Sequence, residues 1–291
     1  MGGVTDLWTD PDHLRREQYR DGTRLLARQS LHQEFSTARI GWQEWLFQQM
    51  QLPPAATVLE VGCGRGEFWW ENRNSIPQGM EIRLTDLSSG MLAEARARLA
   101  PILPGAQFEV ADAHDLEYAN GEFDVVLAHH MLYHLRDRGR ALAEFWRALR
   151  PAGLILAATN GKAHLEQLRQ LERLSPARAA SGPAGLEFNL ENGRAQLSPW
   201  FAPVTVTRRR DWLRVTRPEP VVDYLRSLTV GRLSEPELGH ARKLVTGAIT
   251  HDGHFGIQTE AGLFRGRRRP RPPTGTRGDA KKTRTQSPST S

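Results

Sequence analysis

The most constraining feature of this 291-residue chain is an apolar run, Thr57-Val-Leu-Glu-Val61, that breaks into three closely spaced glycines, Gly62-Cys-Gly64-Arg-Gly66. A short apolar run of this kind reads as a strand buried on both faces. Glycines at its carboxyl end let the backbone turn sharply and let a ligand approach the main chain. Ligands of open α/β sheets bind at that end of the strands. The loop therefore calls for a parallel sheet around it.

The rest of the chain supplies one. Glu81–Asp86, Gln107–Ala111, Phe123–Ala128 and Leu154–Thr159 read as further strands. Between them, Ser88–Leu99 reads as a serine-capped helix with Met91, Leu92, Ala95 and Leu99 on one face. A second helix starts at Asp137 and carries Leu142, Phe145, Trp146 and Leu149 before Arg150-Pro-Ala-Gly153 stops it. Such alternation implies a parallel sheet covered on both faces. Val204–Val215 and Phe255–Phe264 read as two more strands, an antiparallel hairpin-like pair at the sheet edge, and the stretch 25–50 reads as helical.

Three strand ends then form a constellation. Glu60 and the glycines Gly62, Gly64 and Gly66 end the first strand, Asp86 the second and Asp112 the third. A carboxylate at Asp86 can accept hydrogen bonds from both hydroxyls of a ribose, and Asp112 can reach an adenine amino group. A nicotinamide dinucleotide is the alternative, but its fingerprint wants glycine where Glu67 stands, and Glu67 would repel a pyrophosphate at the helix N-terminus. A sulfonium cofactor carries no phosphate, so the spacing favours S-adenosylmethionine.

Val58–Gly66, Leu84–Leu92, Phe123–His134 and Ala148–Leu154 resemble the successive motifs of class I S-adenosylmethionine-dependent methyltransferases. The chain is most similar to the small-molecule branch with the ubiquinone/menaquinone-type, type 11/25-like enzymes. The likeness is dense over residues 54–160 and looser at Asn160-Gly161, Leu190–Gly193 and Thr259–Phe264. It implies an α/β Rossmann-like seven-stranded sheet, mostly parallel with an antiparallel last strand. It also implies that Gly62, Cys63, Gly64 and Gly66 hold the cofactor's amino-acid end. Glu60 would orient the loop or reach the ammonium group, and the backbone of His129 would lie near that group. Asp86 would take the ribose, with Leu87 on the adenine, and Asp112 and Ala113 would read the adenine edge. The family's Pro-Gly-Gly turn is Pro151-Ala-Gly153 here, a departure that leaves Gly153 for the turn.

The resemblance divides the chain into an N-terminal helical lid (1–53), an S-adenosylmethionine-binding core (54–160) and a substrate-wall insertion with the C-terminal strands of the same domain (161–264), and composition without apolar periodicity marks a disordered basic tail (265–291). Candidate bases cluster after the fourth strand in His129-His130-Met-Leu-Tyr133-His134. His134 is preferred, because similar phosphoethanolamine-type enzymes place a working histidine there. His130 is a further candidate, and Tyr133 or Tyr19 would orient the substrate or share the proton. Each of these also reads as a hydrogen-bonded structural residue, and Trp42, Trp45, Trp69 and Trp70 read as core packing or as walls of a substrate cavity.

Composition narrows the function classes. The net charge of +6 resides in the tail, whose arginines and lysines face a single acid, Asp279, and the body is slightly acidic. That argues against a folded surface built to grip nucleic acid. The tail itself reads as a solvated appendage or a contact for RNA or an acidic partner. The lone Cys63 excludes an intrachain disulfide, a radical-type iron–sulfur cluster and the covalent nucleophile of cytosine methylation. The Asn/Asp-Pro-Pro-Tyr signature of nucleobase amino methylation is absent after the fourth strand, so no DNA partner is expected. No metal site and no membrane span are expected. The expected protein is a cytoplasmic monomer or homodimer that methylates a small-molecule substrate. The alternatives are an RNA or protein methyltransferase aided by the tail, and a non-enzymatic cofactor-binding protein.

Overall fold

The computed structural model describes residues 4–176, 187–228 and 233–270. Its strands β1 (Thr57–Val61), β2 (Glu81–Asp86), β3 (Gln107–Val110), β4 (Phe123–His129), β5 (Leu149–Asn160), β6 (Phe201–Val215) and β7 (Phe255–Arg268) form one seven-stranded sheet in the order β3-β2-β1-β4-β5-β7-β6. The first five are parallel, and β7 runs antiparallel to both β5 and β6. Strand order reverses between β1 and β4, which places a crevice at the end of β1, beside the glycine loop.

Period-two alternation builds a core on each face. Leu59, Val126, Ala128, Ile155 and Ala157 point to one side, where helix α5 (Arg138–Ala148) packs Leu142 and Phe145. Val58, Val125, Leu127, Leu156 and Ala158 point to the other, against helices α2 (Trp42–Met50), α3 (Glu67–Glu71) and α4 (Ser89–Leu99). The caps are those read from sequence. Ser88 Oγ accepts from the Met91 amide at 3.2 Å, and Asp137 Oδ1 from the Arg140 amide at 2.9 Å.

The structure corrects several expectations. The helical stretch 25–50 is broken into α1 (Thr23–Phe35) and α2, because the Thr37 amide donates to Trp212 O at 2.9 Å and Ser36 bridges to Leu213, drawing the chain out along β6. The antiparallel pair is no hairpin, since helices α8 (Glu219–Arg226) and α9 (Glu235–Asp252) lie between β6 and β7. With α6 (Glu166–Glu172) and the inner face of α1 they form a third core around Leu31, Phe35, Leu168, Val221, Leu225 and Val245. The disordered tail does not begin at residue 265. β7 continues through Arg268, where Gly266 packs under Phe201 and the Arg265 guanidinium donates to Met50 O at 2.7 Å. The basic segment 271–291 lies outside the described residues. No helix among the described residues is long and apolar enough to cross a membrane.

Candidate active site

The loop after β1 is folded by its glycines. Gly62, Gly64 and Gly66 all have positive φ, of 75°, 56° and 72°. The Gly62 and Cys63 amides donate to Thr85 O at 2.8 and 2.9 Å, tying the turn to β2. The three glycines differ in what a side chain would meet. At Gly66 a Cβ would collide with Leu99 at 2.4 Å, so that glycine serves helix packing. At Gly64 it would find nothing nearer than Leu25 at 4.0 Å, because this glycine faces a cavity. That cavity, of about 1000 Å³, lies along the carboxyl ends of β1, β2 and β4.

Two carboxylates border the loop. Glu60 is buried, accepting the Trp69 indole N–H at 2.6 Å on Oε2 and the His129 Nδ1–H at 3.0 Å on Oε1. His129 Nε2 is left buried with no hydrogen-bond partner. Asp86 faces the cavity and accepts the Gly64 amide on Oδ2 and the Ser88 amide on Oδ1, both at 2.8 Å. Burial pushes its pKa up from the ordinary value, against the pull of these amides. Neither carboxylate has a lysine or arginine within ion-pair distance among the described residues. Glu67, by contrast, is paired with Arg98 at 2.5 Å, so the repulsion expected of it toward a pyrophosphate is neutralised. Uncompensated negative charge at the loop belongs to Glu60 and Asp86.

The remaining expected contacts also line the cavity. Leu87 and Ala113 form an apolar edge beside Asp112, whose Oδ1 takes the backbone amide and the Nδ1–H of His114 at 2.9 and 2.6 Å. Cys63 is buried within the loop, and burial raises its thiol well above the ordinary range.

Past β4, Leu132–His134 form one 3-10 turn. His134 is held from both sides by the N-terminal segment. Its Nδ1 lies 2.9 Å from Trp8 O, and a carbonyl only accepts, so Nδ1 carries the hydrogen. Nε2 therefore has the lone pair, and accepts the Tyr19 hydroxyl at 3.0 Å. Burial pulls the His134 pKa down to about 4 and raises that of Tyr19. Tyr133 packs edge-on against His134, with ring centroids 4.5 Å apart. His130 lies on the cavity wall beside Trp42, its pKa lowered to about 3 by burial and by neighbouring imidazoles. The structure thus brings Tyr19 and His134 together, with Tyr133 and His130 flanking them.

The roof is the segment up to α1, which contributes Leu14, Tyr19, Leu25, Arg28 and His32 to the cavity lining. It is pinned at the loop, where the Gly22 amide donates to Glu94 Oε1 at 2.8 Å and Arg65 to Glu94 Oε2 at 2.5 Å. Ser88 Oγ donates to Tyr19 O at 2.7 Å. Helix α2, included in the lid by sequence, instead buries Leu46 and Met50 in the core. Of the four tryptophans, Trp42 lines the cavity, while Trp69 holds Glu60 and Trp70 lies under Arg73 and Arg98. From the insertion after β5, His164 lines the cavity, whereas helix α7 (Gly193–Leu197) packs against the core.

Gly90 tests the roof. A Cβ there would lie 2.0 Å from Arg20 O, a backbone atom that must move. Gly90→Ala is expected to shift the Tyr19 segment away from His134 and lower turnover about tenfold or more, with melting temperature nearly unchanged because the sheet cores are untouched. Full activity in that variant would show that the roof does not position Tyr19.

Residues 59–157 match the family model of a methyltransferase domain. The trans-aconitate 2-methyltransferase of Deinococcus radiodurans is 37% identical over 102 residues, covering 35% of this chain and 37% of that protein. The phosphoethanolamine N-methyltransferase 1 of Arabidopsis thaliana is 28% identical over 123 residues, covering 42% of this chain and 24% of that protein. The chain thus spans about a third or less of the length of these two curated relatives. Among solved structures, the Haemonchus contortus phosphoethanolamine N-methyltransferase 2, in complex with phosphomonomethylethanolamine and S-adenosylhomocysteine, superposes with a TM-score of 0.56 at 17% identity, over 92% of this chain and 60% of that one. That likeness shows the fold. Residues 59–157 thus resemble a methyltransferase domain, and they supply the parallel strands β1 to β5 of the sheet almost entirely.

Proposed function

We propose that this chain transfers a methyl group from S-adenosylmethionine to a small-molecule acceptor held beneath its N-terminal segment. The observation that carries this reading is electrostatic. Glu60 and Asp86 face the glycine-lined cavity with no lysine or arginine within ion-pair distance among the described residues. Carboxylates so placed are stabilised by a cationic ligand and would repel a pyrophosphate. Gly64, whose missing side chain leaves open space, fits close approach of the cofactor's amino-acid end.

In this reading Gly62, Cys63 and Gly64 cradle the amino-acid end of S-adenosylmethionine, Gly66 supports them by packing the turn against Leu99, and Glu60 and the His129 backbone lie near the ammonium group. Asp86 takes the ribose hydroxyls, Leu87 and Ala113 pack on the adenine, and Asp112 accepts from its amino group. The bound cofactor supplies a methyl group already activated on a sulfonium. The protein then aligns the acceptor, excludes water and moves one proton. Alignment alone is worth roughly 7–11 kcal/mol of barrier.

His134 is the general base, acting through Tyr19. As the acceptor loses its proton to the Tyr19 oxygen, Tyr19 passes its own to His134 Nε2. The Trp8 carbonyl holds the ring in the tautomer that leaves Nε2 free to receive it. Tyr133 fixes the ring from its edge, and His130 borders the acceptor's path. The roofed cavity supports a small acceptor over RNA or protein.

Calorimetry with S-adenosylhomocysteine and with NAD, followed by labelled S-adenosylmethionine and fractionated cell extract, tests the proposal. Heat with the first nucleoside and label in the low-mass fraction are expected, unchanged on deletion of residues 271–291. Uptake of NAD alone, or label only in macromolecules, would overturn it.

A further inference from the structure

The lining of the cavity includes three imidazoles drawn from three separate elements. His32 comes from α1, His130 from the turn after β4 and His164 from the turn before α6. The His32 and His164 rings stack nearly parallel, at 6° with centroids 5.7 Å apart, and Trp42 meets His130 edge-on at 5.5 Å. The side chains of His32 and His130 make no hydrogen bond among the described residues. His164 Nδ1 accepts the Glu260 amide at 3.2 Å, which leaves Nε2–H as its donor.

Asp211 and Arg209, in the same lining, are held by hydrogen bonds, and Arg28 by an aromatic ring. Asp211 takes the Ser36 hydroxyl, the Thr37 hydroxyl at 2.9 Å and the Trp212 amide at 2.7 Å. Arg209 donates to the Ile40 and Gly41 carbonyls and lies over the Trp45 ring. Arg28 lies over the Tyr19 ring, 5.6 Å from its centroid. The imidazoles themselves are held neutral. Burial lowers His32 to about 4 and His130 to about 3, and holds His164 well below its ordinary value.

We infer that His32, His130 and His164 form an acceptor subsite for an uncharged hydroxyl- or carbonyl-bearing head group, one that discriminates against carboxylate and phosphate. This rests on the methyl-transfer reading of the same cavity. A neutral imidazole offers one donor and one acceptor, which is what a hydroxyl pairs with. An anion would need a counter-charge that these rings supply only by taking up a proton in a buried cluster. Trp42 adds a flat apolar face beside His130, so a ring bearing the hydroxyl suits the subsite.

The test uses the full chain saturated with S-adenosylhomocysteine and three probes that share one ring, namely phenol, benzoate and phenyl phosphate. Histidine ring nitrogens are followed by NMR. Phenol is expected to shift the His32, His130 and His164 signals saturably, while the two anions bind at least tenfold more weakly. His32→Phe and His164→Phe should each weaken phenol about tenfold or more. His32→Asn, which keeps a neutral donor and acceptor, should stay within about threefold of the parent. Tighter binding of either anion with protonation of these rings overturns the inference, and so does a phenol titration that leaves all three unmoved. Failure of the parent chain to take up S-adenosylhomocysteine would instead overturn the methyl-transfer reading.

Discussion

Alanine in place of Asp86 is expected to weaken S-adenosylhomocysteine binding by roughly a hundredfold while leaving the fold intact. The carboxylate does two jobs in the reading above. Its Oδ2 holds the Gly64 amide and so fixes a loop at φ 56°, and its Oδ1 holds the Ser88 amide at the start of α4. The same group is the proposed acceptor for the ribose hydroxyls. Hydrogen bonds to a charged partner contribute about 1.5–3 kcal/mol each, so losing those to the ligand and loosening the loop removes about 3 kcal/mol, or roughly a hundredfold. Stability should change little. β2 keeps its pairing with β1 and β3, and Ser88 Oγ still caps α4. Asp86→Asn keeps one carbonyl acceptor and should fall between, at about tenfold. Calorimetry decides, and affinity within threefold of the parent in the alanine variant would remove the ribose from this strand end.

The parallel half of the sheet was legible because its signals are local. Apolar runs ending in glycine or aspartate state where a strand is and where it stops, and β1, β2 and β3 lie where those runs predict. What could not be read is what depends on distant packing. Nothing near Ser36 and Thr37 announces that they are drawn out by Asp211 and Trp212, so α1 and α2 read as one helix. Arg265–Arg268 look like the start of a charged tail, yet their backbone completes β7, since edge pairing depends on the partner strand more than on side-chain polarity. At the site, Asp86 and the glycines were visible from their spacing. Tyr19 was a candidate to orient the substrate or share the proton, but nothing in the sequence placed its hydroxyl against His134. His32, His164 and Asp211 carried no signal, because residues on α1, the turn before α6 and β6 meet only once the third core folds α1 against α8 and α9. Trp69 read as core or as a cavity wall; it is buried in the core, and its indole also holds Glu60.

Removing the base should give the other large effect. With the acceptor identified by labelling, His134→Ala is expected to lower kcat by about 10²–10⁴-fold, the range for a positioned general base, with S-adenosylhomocysteine affinity within threefold of the parent. Tyr19→Phe keeps the ring and removes only the hydroxyl that donates to Nε2 at 3.0 Å. Because the two groups pass one proton in series, the double variant should be no slower than the worse single one. The pH profile carries an independent signature. Burial holds the His134 pKa at about 4, so kcat/KM should stay level as pH falls from 7 to about 5 and drop only near 4, where Nε2 protonates. An exposed imidazole would begin to lose activity near its ordinary value of about 6.5. Stability follows the same window with a definite sign. Between pH 6.5 and 4 the unfolded chain binds protons at His134 that the folded chain does not, so folding weakens as pH falls through that range and is unaffected above it. Initial rates separate the two effects. A His134→Ala variant with kcat within threefold of the parent, or an acid limb centred near 6.5, would take the proton-transfer role away from the Tyr19–His134 pair and leave alignment beneath the N-terminal segment as the source of rate.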